Sequence, residues 1–202
     1  MHILGISCYY HDAAAALVSN GVLCAAAQEE RFTGKKHDPD FPANAIRFCL
    51  EKKNLAMQDI DVIAFYDKPF TKFDRILNGY LCTAPKSYRA FRTAVPVWLR
   101  EKLWLPQTIR KEMNFGGKIL FIEHHLSHAA GAYFSSPFER AAILTIDGVG
   151  EWATASIGHG FGNKIRLYRV MNYPHSVGLL YSAFTYFLGF QVNSAEYKVM
   201  GL

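Results

Sequence analysis

Two histidines four residues apart, followed by an aspartate at the end of an apolar run, are the residues of this chain best suited to hold a divalent metal. The histidines are His124 and His128 in Glu123-His124-His125-Leu126-Ser127-His128-Ala129; the aspartate is Asp147 in Leu144-Thr145-Ile146-Asp147-Gly148-Val149-Gly150. On a helix, residues at i and i+4 share one face, and neutral imidazoles so placed chelate transition metals. His125, Leu126 and Ser127, between them, include no acid. The HExxH arrangement of zinc proteases, with its glutamate base, is therefore excluded. Two imidazoles and one carboxylate leave positions open for substrate oxygens, a set that suits iron(II) and also zinc or manganese. His125 points elsewhere on the helix and reads as an outer hydrogen-bonding residue. A competing reading gives His124 or His128 only a structural role, capping a strand-to-helix turn.

Gly148, Val149 and Gly150 follow Asp147 directly. Glycines allow close backbone approach, and successive amide N–H groups can cradle a phosphate. An ordinary tight turn would use the same residues, so Asp147 is the sharper clue. A carboxylate ending a buried strand needs a partner. Two other places offer group-transfer chemistry. His11-Asp12 follows the first apolar run, where an imidazole could take a proton. Lys35, Lys36 and His37 could neutralise a phosphate or polarise a carbonyl.

The elements that must position these residues alternate between strand and helix patterns. Ile3–Ser7 is a strand, and Ala13–Val18 and Val22–Gln28 flank an Asn20-Gly21 hairpin turn. A helix starts at Pro42 or Ala43 and buries Ala45, Ile46, Phe48, Cys49 and Leu50; Asp61–Tyr66 is a strand. Residues from about 69 to 114 read as helices punctuated at Pro85, Pro96 and Pro106. Lys118–Ile122 is strand, Leu126–Tyr133 helix, and Ala141–Ile146, Trp152–Ile157 and Lys164–Met171 strands, with 158–163 turning the last two. Gly178–Leu188 is helix. This order predicts an α/β protein containing a hairpin-led β-β-β-α-β-α-β unit, the ribonuclease-H-like half of the actin-like and sugar-kinase ATPases (the ASKHA fold). The expected organisation is a first lobe over 1–140, with a helical insert at about 69–114, and the beginning of a second lobe over 141–202.

Half the 202 residues are hydrophobic, so a sizeable core is expected and long disorder is excluded. The four cysteines form no CxxC pair, which favours reduced thiols in a cytoplasmic protein. The N-terminus lacks the pattern of a signal peptide, and no apolar run is long enough to cross a bilayer. Of the net charge of +5, residues 68–118 carry eleven Lys or Arg against three acids, an excess of +8. Such a segment fits an anionic ligand, a partner domain, a polynucleotide or simply a solvated face.

Taken together, these segments resemble the N-terminal domain of the O-carbamoyltransferase family, which includes nodulation and antibiotic-tailoring carbamoyltransferases. The matching residues are Ile3–Ser7 with Tyr10–Ala15, Gln28–Thr33 with Lys35-Lys36-His37, Glu123–Ala129, Asp147–Glu151 and Ala195–Leu202. The resemblance implies that a C-terminal YrdC-like domain, expected beyond this chain, makes carbamoyladenylate from carbamoyl phosphate and ATP. The N-terminal domain then moves the carbamoyl group to a hydroxyl of a small-molecule acceptor. Carried over by position, His124, His128 and Asp147 bind the metal, iron in the family, and a further carboxylate ligand is expected past residue 202. His11 and Lys36 fall in the transfer pocket, with His11 as base. Gly148, Val149, Gly150 and Glu151 fall on the nucleotide loop. Gly34 stands where many relatives carry an arginine.

Two other readings remain at this point. One is a threonylcarbamoyl-transfer ATPase acting on tRNA through the basic segment, which the Tyr10-His11-Asp12 and Glu196–Leu202 segments disfavour. The other is a nucleotide- and metal-binding module that is inactive by itself.

Overall fold

The computed structural model of the chain describes every residue except His11 and Glu101. The catalytic assignment of His11 thus lies outside the described residues. The chain forms two compact units, residues 1–69 with 84–122, and residues 70–83 with 123–202.

The first unit is built on five strands: β1 (His2–Ser7), β2 (Ala14–Ser19), β3 (Val22–Gln28), β4 (Val62–Phe65) and β5 (Lys118–Phe121). Asn20 and Gly21, both at positive φ, make the two-residue turn between β2 and β3. The strand order is β3-β2-β1-β4-β5, antiparallel through the hairpins and parallel from β1 to β4 to β5. This is the ribonuclease-H-like arrangement of strands.

Alternation along the strands puts Leu4, Ile6, Leu17, Ile63 and Phe65 into one core. A short helix α1 (Glu30–Thr33) follows β3, and α2 (Ala43–Glu51) adds Ala45, Ile46 and Cys49 to that core. The buried Glu29 carboxylate accepts the backbone N–H groups of Asn44 and Ala45 at 3.2 and 2.8 Å, and so satisfies the open end of α2.

Three helices follow: α3 (Pro69–Cys82), α4 (Tyr88–Arg100) and α5 (Leu105–Met113). Pro106 stands in the first turn of α5, where a missing N–H costs nothing. Pro96, expected to interrupt, lies inside α4 instead. It is on the exposed side, where water can serve the carbonyl its ring leaves unbonded. Ile109 and Met113 carry α5 into the first unit's core.

The second unit contains α6 (His124–Phe134), the antiparallel meander β6 (Arg140–Ile146), β7 (Ala153–Phe161) and β8 (Lys164–Asn172), then α7 (Val177–Phe187) and α8 (Glu196–Val199). Its small core joins Ala129 and Tyr133 of α6 to Ile143 of β6. Since α6 packs on this sheet, the units part after Ile122, whereas sequence patterning places the lobe boundary at 140. Most of α3 also groups here: Asp74 accepts the Trp152 indole N–H at 3.2 Å, and the Arg75 guanidinium lies 5.5 Å from the Tyr173 ring centroid.

β7 runs through Gly158 and Gly160, which patterning assigned to a turn. A Cβ at Gly158 would strike the Arg166 carbonyl, and one at Gly160 would lie 2.5 Å from the Tyr133 ring. Both glycines admit a neighbour against the strand, and the pairing of β7 with β8 shifts register at Ile157/Gly158. The actual turn is Gly162-Asn163, with Gly162 at positive φ.

Candidate metal centre

His124 opens α6 and His128 follows one turn later, while Asp147 is the first residue beyond β6. The packing of α6 on the second sheet brings the three together. One ligand atom of each lies within 4.8 Å of the others. His124 Nε2 is 2.7 Å from Asp147 Oδ2, the two Nε2 atoms are 3.0 Å apart, and His128 Nε2 is 3.7 Å from Asp147 Oδ2. These contacts hold the Asp147 carboxyl far below the usual carboxylate range, His124 contributing most and His128 next. An ionised acceptor therefore faces two imidazole nitrogens.

The donor set fits a metal. Ligand atoms at ~2.1 Å from a common ion would stand roughly 3 Å from one another in an octahedral arrangement and slightly farther in a tetrahedral one. The three separations span that range. His124 is mostly buried and His128 is half exposed, so the cluster is both supported and open to solvent on one side.

Several residues fix the cluster. Both oxygens of the buried Glu151 carboxylate accept the His124 backbone N–H, at 3.1 Å each. Negative charge at the first turn of a helix is favourable, and here it also fixes where α6 begins. His125 is buried and turns away, with Nδ1 2.6 Å from Thr145 Oγ1, which lies 2.5 Å from Ser156 Oγ. Burial pushes the His125 imidazole down, keeping it neutral.

The Asp147–Gly150 loop is closed on itself. The Gly148 N–H donates to Asp147 Oδ1 at 2.6 Å, and the Gly150 N–H donates to the Ala153 carbonyl at 2.8 Å. Ser176 caps α7 by accepting the Leu179 N–H at 3.0 Å, and its hydroxyl donates to the Gly148 carbonyl at 2.6 Å. The start of α7 is thereby tied to the loop. Gly178 completes the contact, since a Cβ there would strike the Asp147 carbonyl. Sequence reasoning did not single out Ser176, Gly178 or the helix-capping use of Glu151. A serine immediately before the apolar run of α7 was the available signal for the first.

In the first unit, the segment between β1 and β2 and the loop following α1 are joined by backbone bonds: Tyr9 N–H to the Pro39 carbonyl at 2.6 Å, and Ala13 N–H to the Asp38 carbonyl at 2.8 Å. His37 Nδ1 lies 2.9 Å from Asp12 Oδ1, and the His37 N–H donates to Glu30 Oε2 at 3.0 Å. Asp12, Glu30 and His37 also form a group with close ligand atoms. Of the two adjacent lysines, Lys35 pairs with Asp40 at 2.6 Å and Asp38 at 3.6 Å. Lys36 is exposed and its amine makes no bond among the described residues. All four cysteines are free. Among the described residues, no helix is long and apolar enough to cross a membrane.

The family model described as carbamoyltransferase N-terminus matches residues 2–202. Similar relatives include protein sll1178 of Synechocystis, 53% identical over all of this chain and 34% of its own length. Nodulation protein NolNO of Sinorhizobium fredii is 35% identical over 96% of this chain and 28% of its own length. The chain thus spans about a third of the length of these relatives. Solved structures similar to it include YeaZ from Pseudomonas aeruginosa, at 16% identity and a TM-score of 0.43, covering 85% of this chain and 69% of that one.

Proposed function

The chain belongs to the carbamoyltransferase N-terminal family, and from that premise we propose that it transfers a carbamoyl group from carbamoyladenylate to a hydroxyl of a small-molecule acceptor. The carbamoyladenylate would be made from carbamoyl phosphate and ATP by a YrdC-like domain of the parent protein. The observation that supports this reading best is the convergence of His124, His128 and Asp147 within 4.8 Å, in a chain matched by the family over residues 2–202.

In this reading His124, His128 and Asp147 hold a divalent metal, iron(II) before zinc or manganese. When bound, the metal supplies a Lewis acid for phosphate or carbonyl oxygen. The acceptor hydroxyl loses its proton to His11 as its oxygen bonds to the carbamoyl carbon. The bond from that carbon to the adenylate oxygen breaks, and AMP leaves with the electron pair. The exposed Lys36 amine, without a bond among the described residues, is suited to balance charge on the carbamoyl oxygen or the departing phosphate. Gly148, Val149 and Gly150 are proposed to lie against the nucleotide. Since the Gly148 and Gly150 amides are already bonded, the loop would act mainly by holding Asp147. Glu151 acts through the start of α6, as a positioning residue for His124.

The test uses a polypeptide of the relatives' full length that carries this chain. It should form AMP from ATP in a carbamoyl-phosphate-dependent reaction and carbamoylate a hydroxyl acceptor. His11→Ala should slow the acceptor step by about 10²–10⁴ while sparing carbamoyladenylate formation. Transfer confined to tRNA would move the assignment to the threonylcarbamoyl branch, and no transfer at all would leave only a binding module.

A further inference from the structure

A second convergence of metal-ligating side chains stands in the first unit and shares no residue with the His124 centre. Asp12, Glu30 and His37 come from three segments: the stretch between β1 and β2, the first residue of α1, and the loop that follows α1. One ligand atom of each lies within 4.8 Å of the other two. His37 Nδ1 is 2.9 Å from Asp12 Oδ1. Adjacent donors ~2.1 Å from a common ion stand roughly 3 Å apart, so this pair already has the spacing of two ligands. The Glu30 carboxylate is held beside them, because its Oε2 accepts the His37 backbone N–H at 3.0 Å.

Two carboxylates thus converge on one imidazole. The cations beside Glu30 do little to neutralise it. Arg31 comes within 3.6 Å of Glu30 Oε1, but its side chain is 72% exposed, and an ion pair of that kind contributes little. Lys35 is drawn off by Asp40 and Asp38. Side-chain exposure rises from 19% at Glu30 to 33% at Asp12 and 48% at His37. The group is therefore anchored on one side and open on the other, with room for water or phosphate oxygens to complete a coordination shell.

Its donors differ from those of the His124 centre. Two imidazoles and one carboxylate suit iron(II) or zinc. One imidazole and two carboxylates make a harder, oxygen-rich set that suits manganese(II).

We propose that Asp12, Glu30 and His37 form a second divalent-cation site, of the manganese(II) class, which clamps the loop carrying Lys36 to the segment carrying His11. The clamp extends a junction that the Tyr9–Pro39 and Ala13–Asp38 backbone bonds begin. Cation binding stands by itself; only its service to group transfer rests on the reading above.

The test is titration of the zinc-loaded 202-residue protein with manganese(II), the free ion being followed by electron paramagnetic resonance. Saturable uptake of about one equivalent is expected, with the zinc retained. His37→Ala and Asp12→Asn should each weaken it about tenfold or more. Glu51→Gln, which removes an exposed carboxylate on α2, should leave it unchanged, and so should His124→Ala. Circular dichroism establishes that each variant is folded. Absence of manganese binding, or binding indifferent to both His37 and Asp12, would overturn the proposal and leave their 2.9 Å contact an ion pair alone. Manganese binding at these residues in a full-length polypeptide that transfers no carbamoyl group would keep the site and remove the transfer reading. Transfer by a full-length polypeptide that takes up no manganese here would do the reverse.

Discussion

The Glu151 carboxylate accepts the backbone N–H of His124 with both oxygens at 3.1 Å, so the residue that fixes the start of α6 also fixes one imidazole of the candidate metal centre. Glu29 serves α2 in the first unit in a similar way, one oxygen accepting the Asn44 N–H and the other the Ala45 N–H. A buried glutamate thus serves one helix start in each unit, and in the second unit that helix start carries a residue of the candidate metal centre. Glu151→Ala should lower stability by about 1–2 kcal/mol, as loss of a helix cap does. It should also weaken zinc or iron(II) binding roughly 10–100-fold, the usual effect of removing a residue that orients a ligand. Thermal melts and metal titrations of the same preparation measure both. A loss of stability with unchanged metal affinity would make Glu151 a cap alone.

Removal of the ligands themselves should act on metal and hardly on fold. Purified protein is expected to take up about one equivalent of divalent metal, removable by chelator. His124→Ala and Asp147→Asn should each weaken uptake by at least about a hundredfold, while the far-ultraviolet spectrum stays that of the parent. Equal metal uptake in parent and variants would sink the assignment. In that case the same 2.7 Å His124–Asp147 contact would be an ordinary hydrogen bond.

Asp38 gives a pH prediction that does not involve the metal. It is buried and accepts the Thr33 hydroxyl at 2.8 Å and the Asp40 N–H at 3.1 Å, with the Lys35 ammonium at 3.6 Å. The Thr33 hydrogen bond, followed by that from Asp40, holds its carboxyl below the usual range. A carboxylate that binds protons less readily folded than unfolded stabilises the protein above its unfolded pKa of about 4. That contribution disappears as pH falls through the lower, folded value. Asp38→Asn should therefore melt at a lower temperature than the parent at pH 7, and the gap should close as pH falls below the unfolded value of about 4. A gap independent of pH would show that packing, not charge, is what Asp38 supplies.

The parts of this molecule legible in sequence were those set by local periodicity. Strand alternation and the Asn20-Gly21 turn predicted the first sheet, and the spacing of His124 and His128 placed both on one helical face. Hidden were the features decided by a distant neighbour. Gly158 and Gly160 carry turn chemistry in sequence, but a carbonyl from β8 and the Tyr133 ring need their missing side chains. Pro96 reads as a break, and exposure lets α4 continue through it. The site was half legible for the same reason. Its candidate ligands have telling residue types, whereas Glu151, Ser176 and Gly178 gain their roles only through contacts 27 to 31 residues away in sequence, with His124, Gly148 and Asp147.

Gly178 permits a direct test of that last relationship. It is the second residue of α7, and a Cβ there would meet the carbonyl oxygen and carbon of Asp147 and the nitrogen of Gly148, all backbone atoms. No side-chain rotation can relieve such a clash, so Gly178→Ala must move the start of α7 or the Asp147 loop. A cost of about 1–3 kcal/mol is expected from overpacking, together with weaker metal binding because Asp147 moves with its loop. Gly131, on α6 between the histidines and Tyr133, is the matched control: a Cβ there meets nothing within 4 Å. Gly131→Ala should raise stability by about 0.5–1 kcal/mol through helix propensity and leave metal affinity unchanged. Opposite shifts in melting temperature, with metal affinity lost only in Gly178→Ala, would establish that α7 holds the aspartate in place. Equal metal affinity in the two variants would confine the role of Gly178 to packing.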